Sequence, residues 1–117
     1  MADLSSYGIH RTTRARVLLL GAVLAGAGCL SLEQAAPLPA TLVAPGTPVP
    51  AGLARGRELY VTACAKCHAP EPVLAYPREK WLASILPEMN KMTKLSPADA
   101  DAVQAYVLAV HAGQGKP

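Results

Sequence analysis

An all-α fold is the class this sequence predicts, and three stretches carry the prediction. Between residues 53 and 67, small and apolar side chains recur at the three- and four-residue spacing of one helical face. Residues 77–86 read as a short helix with Trp81, Leu82 and Ile85 turned inward. From Ser96 onward the chain shows a helix start followed by an apolar stripe.

The chain of 117 residues has room for one small domain with appendages. The first unit, residues 1–29, reads as an export segment. Arg11, Arg14 and Arg16 form a basic stretch, and the sixteen residues 17–32 that follow are uncharged, mostly apolar and small. A bilayer span needs about 20 such residues, so the pattern is that of a secretory signal. The run Leu24-Ala25-Gly26-Ala27-Gly28-Cys29 resembles the lipobox of bacterial lipoproteins, whose cysteine is lipidated. It departs from that pattern in having Gly26 where leucine is usual. Three outcomes stay open: lipidation at Cys29, ordinary cleavage after Ala27, and an uncleaved short anchor. His10 precedes this segment.

Residues 30–51 form the second unit. Five prolines (Pro37, Pro39, Pro45, Pro48 and Pro50) fall within fourteen residues. Such composition predicts an extended, semi-rigid linker. At about 3.1 Å per residue it would hold a domain roughly 40 Å from its attachment point.

The third unit, residues 52–117, holds eight basic and six acidic residues, a balance of +2 within a chain of net charge +3. No basic stripe with interleaved aromatics appears, so nucleic acid is not an expected partner. The first helix is expected from Leu53 to Cys67, with Gly56 inside it at a cost of about 1 kcal/mol relative to alanine. Close approach of another helix would justify that glycine. In the middle helix, Pro87 lacks an N–H and is expected to bend or end it. In the last, Ser96 is the expected N-cap, Pro97 suits the first helical position and Asp99 stands where a capping-box acid would. Val103, Tyr106, Val107 and Val110 make its apolar stripe and Gly113 a plausible stop.

The most informative run is Cys64-Ala65-Lys66-Cys67-His68. C-x-x-C-H is the attachment signature of a c-type haem. Each thiol can add across a vinyl group of the porphyrin, and the following imidazole can ligate the iron. On a helical turn the three side chains project to one side. A redox C-x-x-C pair would want a preceding strand, and none is read before Cys64. A zinc site would need a further ligand, and His111 is the sole candidate in the domain. The chain has no Phe and one Trp, a meagre core for about 60 residues, and a bound porphyrin would add apolar mass. Soft thioethers suit haem iron. Met89 is the first choice for the second axial ligand and Met92 the runner-up.

Residues 53–112 resemble a small class I c-type cytochrome, on Gly56, Tyr60, Cys64, Cys67, His68, Met89 and Tyr106. The resemblance implies that the first and last helices cross, with Tyr106 meeting Gly56 and Tyr60 beside one covalently bound haem c. It implies a backbone carbonyl bonded to His68 Nδ1, with Pro70 and Pro72 as candidates. The short stretch from His68 to Met89 implies a more exposed haem edge. The function implied is a carrier of single electrons between redox proteins such as a dehydrogenase and an oxidase. It would work on the periplasmic side of a bacterial membrane, secreted or held by an N-terminal lipid or anchor. No residue receives a catalytic role, although the chain could be the cytochrome subunit of a larger dehydrogenase. Lys66 is a candidate contact for an acidic partner. The alternative is a haem-based sensor or gas-binding protein with a displaceable distal ligand. A haem peroxidase ranks last, because no His or Arg occupies an obvious distal position.

Overall fold

A computed structural model describes residues 30–113. Cys29, His10 and the export segment lie outside the described residues. Every regular element among those residues is helical, so the protein is all-α there. The elements are α1 (Leu32–Ala35), α2 (Ala51–Thr62), α3 (Arg78–Lys80), α4 (Leu86–Thr93) and α5 (Pro97–Gly113). Short 3₁₀ turns lie at Pro39–Thr41, Cys64–Lys66 and Val73–Ala75.

The architecture turns on the crossing of α2 and α5. A Cβ built on Gly56 would overlap the carbonyl oxygen of Ala102 and lie 2.8 Å from Tyr106 Cβ. Only a residue without a side chain lets the two backbones come this close. Around the crossing, Leu53, Leu59 and Tyr60 of α2 are buried with Val103, Tyr106, Val107 and Val110 of α5. Leu59 joins this face beside the expected positions. Tyr60 touches both Tyr106 and Trp81, with ring centroids 5.8 and 6.0 Å apart. Tyr76 reaches Trp81 at 6.1 Å. One Trp and three Tyr thus join the helices where phenylalanines are lacking.

The start of α5 divides its capping residues between two tasks. Ser96 Oγ accepts the Asp99 N–H at 3.2 Å, as an N-cap should. The Asp99 carboxylate does not return to the cap. It accepts Arg55 Nε at 3.0 Å and Arg55 Nη2 at 3.1 Å, a two-point clasp from α2. These hydrogen bonds chiefly hold the Asp99 carboxyl below its ordinary range, against an opposing effect of burial. A lowered folded-state pKa means that the stabilisation is complete above the ordinary carboxylate value of about 4 and is lost as pH falls through the lowered one. Asp99→Asn should therefore be less stable than the parent at pH 7 and converge with it in acid. Urea melts across pH check this, and added salt should shrink the neutral-pH gap.

Three expectations are corrected. The first helix ends at Thr62, not Cys67. Ala63 caps it and the chain tightens into the 3₁₀ turn Cys64–Lys66, while Thr62 Oγ1 donates to Glu58 O at 2.6 Å. The middle helix does not stop at Pro87. Residues Trp81–Ile85 form one π-helical turn, closed by Leu86 N–H to Trp81 O, and α4 continues directly from it to Thr93. The proline sits within the first turn of α4, where its missing N–H costs least. The helix widens ahead of the proline instead of breaking.

The third correction concerns residues 30–50, which are not an extended spacer. Ser31 and Gln34 close a reciprocal capping box around α1. Ala35 and Ala36 are buried, and Leu42, Val43 and Val49 pack on the core. Arg57 Nε donates to Ala36 O at 3.0 Å, and Tyr106 O–H to Pro37 O at 2.9 Å. This strap is thereby bolted to both crossing helices. Burial pushes the Tyr106 hydroxyl up to about 12, so it remains a neutral donor at physiological pH.

One residue carries backbone strain. Lys94, which ends α4, is left-handed at φ 53° and exposed. Glycine adopts that conformation without a Cβ clash. Lys94→Gly should raise stability by about 0.5 kcal/mol, readable as a shifted urea midpoint.

Candidate cofactor site

Two adjoining cavities, of about 280 and 210 Å³, share Cys64, His68 and Met89 in their linings. Small-molecule sites occupy about 300–1,000 Å³, so either alone is small and the pair falls within range. Tyr60, Tyr76, Trp81 and Ile85 form much of the wall of the larger cavity. Cys67, Met92 and Thr93 line the smaller.

Each group is placed by a local cause. Cys64 begins the tight turn that follows α2, and Cys67 stands three residues on, so both thiols reach the smaller cavity. Both are free. Cys64 is half-buried, and burial pushes its thiol up. A redox-active C-x-x-C needs the opposite shift, toward the thiolate. The environment therefore speaks against a thiol oxidoreductase.

His68 Nδ1 lies 2.7 Å from the carbonyl oxygen of its neighbour Ala69. A carbonyl can only accept, so the proton is on Nδ1 and the Nε2 lone pair is left for a ligand. The acceptor is neither Pro70 nor Pro72. Proline restrains the residue before it, so Pro70 steadies the Ala69 carbonyl rather than its own. The loop is pinned twice more. Tyr60 O–H donates to Glu71 O, and Trp81 Nε1–H donates to Val73 O at 2.7 Å. Trp81 and Val73 are 1% and 0% exposed, so these bonds close the floor of the loop.

Met89 and Met92 differ in setting. Met89 lines both cavities and packs against the core. Met92 lines only the smaller and is 72% exposed. The π turn ahead of α4 sets the rotation that brings Met89 to the cavities. Lys80 borders the larger cavity with its ammonium 4.3 Å from the Tyr76 ring centroid, and Lys66 borders the smaller. His111 lies on α5 and lines neither cavity. Among the described residues, no group of three or more His, Cys, Asp or Glu side chains is gathered to hold a metal ion.

Tyr76, Lys80 and Ile85 were not expected at the site. They come there through the fold of the pinned loop and the π turn, which leave no local motif. The arrangement offers two thiols, one imidazole with a free Nε2 and one thioether around an apolar space. Comparison with protein-family models, curated proteins and solved structures found no match to this chain.

Proposed function

We propose that the protein is an exported monohaem c-type cytochrome that carries single electrons between redox proteins. The observation that carries this reading is the convergence of Cys64, His68 and Met89 on the same pair of cavities, with the proton of His68 committed to Ala69. The donor set fits a haem: a nitrogen ligand oriented by its own carbonyl, a soft sulfur ligand, two thiols at attachment spacing and aromatic walls. The close α2–α5 crossing at Gly56 is what the cytochrome resemblance implies, and it supports the reading further.

A bound haem c would supply a one-electron ferric–ferrous couple. The chain's residues do the rest. Cys64 and Cys67 hold the group in one register on the turn. His68 ligates through Nε2, and the Nδ1 bond to Ala69 raises the basicity of the ring and fixes its plane. Met89 offers a neutral sulfur, which favours the reduced state. Tyr60, Trp81 and Leu86 keep water from the buried side. No group is placed to move a proton to a substrate, in keeping with a carrier.

The test is to produce the full chain in a host with haem-attachment machinery and to measure its intact mass and reduced spectrum. One haem should survive denaturation on the parent and be absent from Cys64→Ser/Cys67→Ser. A parent chain without covalent haem under those conditions overturns the proposal. Carbon monoxide separates the sensor alternative: rapid binding by the reduced native protein would favour a displaceable distal ligand over a carrier.

A further inference from the structure

The strap has an inner and an outer side. Its inner side is fixed by buried Ala35 and Ala36 and by the bonds from Arg57 and Tyr106. Outward stand Leu30, Leu32 and Leu38, 58%, 45% and 44% exposed. One exposed leucine needs no explanation. Three within nine residues, on a strap held rigidly from behind, are a different matter. We propose that Leu30, Leu32 and Leu38 rest in the headgroup–acyl boundary of a lipid bilayer, so that the folded domain lies against the membrane rather than at the end of a spacer.

Continuity of the chain supports lipid as the occupant. The uncharged apolar stretch that begins at Val17 runs directly into Leu30 and Leu32. Any membrane attachment at or before Cys29 therefore enters the described fold at once. Two extended residues and the turn of α1 separate Cys29 from buried Ala36, a reach of roughly 15 Å. The domain cannot stand off by the 40 Å that a polyproline spacer would allow. Charge points the same way. Glu33 is the sole charged residue from Leu30 to Pro50, which suits the boundary of a bilayer and offers little to an ionic partner. The inference rests on the reading of residues 11–29 as a membrane-held export segment and adds where the domain then sits.

The test uses the full chain in phosphatidylcholine vesicles, with Leu32→Trp and Leu38→Trp compared with Glu79→Trp on exposed α3. Each is measured in plain and in brominated-chain lipid. Trp81 is buried and common to all, and a bound cofactor quenches equally in both lipids, so the ratio reports lipid contact alone. The expected result is an emission about two-fold lower in brominated lipid at positions 32 and 38, and unchanged at 79. If the chain floats with the vesicles and positions 32 and 38 show no lipid-dependent change, the surface contact is wrong while the membrane-held segment stands. That includes the case in which sedimentation shows a second copy covering the leucines. If the chain does not float, both readings fall. Equal quenching at all three positions also overturns the proposal, since it denies the strap any special role.

Discussion

Gly56→Ala should destabilise the protein by about 3 kcal/mol or more, lowering its melting temperature by at least about 12 °C. The added methyl would meet backbone, the Ala102 carbonyl, rather than a side chain that could swing aside. The α2–α5 crossing must open, and with it the packing of Tyr60 on Tyr106 and Trp81. A domain with so small a core has little stability to spare. Gly52→Ala, four residues earlier on the same helix, is the control. Nothing lies within 4 Å of its built Cβ, so the change should stabilise by about 0.5–1 kcal/mol. Thermal melts of the two variants should thus move in opposite directions. Equal melting temperatures would show that the helices do not touch at Gly56.

The second large effect is at the sulfur ligand. In the haem-loaded protein, Met89→Ala should abolish the methionine–iron charge-transfer band and lower the reduction potential by on the order of 100 mV. Met92→Ala should preserve both and change stability by less than about 0.5 kcal/mol, as expected of a side chain so exposed. The contrast follows from the burial of one methionine between two cavities and the exposure of the other. Ferric spectra and a redox titration of the two variants decide it. The reverse pattern would mean that α4 binds with Met92 turned inward.

The helix faces were legible where cause and effect lie close along the chain. Ser96, Pro97 and the stripe from Val103 to Val110 announce α5 because caps and periodicity are local signals. The C-x-x-C-H spacing likewise places three candidate ligands together without any knowledge of the fold. Asp99 shows the limit. Its position suggests a capping acid, yet its partner Arg55 lies 44 residues away, and the two-point clasp outweighs a return to Ser96. The strap misleads for a related reason. Its prolines do favour extended backbone, but they also lower the entropy lost on ordering, and Leu42, Val43 and Val49 give it something to bury. Proline carbonyls remain free to accept, and Pro37 does so from Tyr106. Pro87 was read as a stop because a break and a widened turn relieve the same clash, and only the surrounding packing chooses between them.

The π turn at Trp81–Ile85 makes the spacing between tryptophan and methionine intolerant of deletion. A π turn holds one residue more than the α turn it interrupts. Removing one residue there would restore an ordinary helix and rotate everything after it by about 100° relative to Trp81. Met89 would swing off the cavities while the motif at Cys64–His68 remained intact. Length variants of this protein should therefore accept insertions in the exposed turn between α4 and α5 far more readily than any change between Trp81 and Met89. The count of residues in that interval, more than their identities, sets the direction in which the sulfur points.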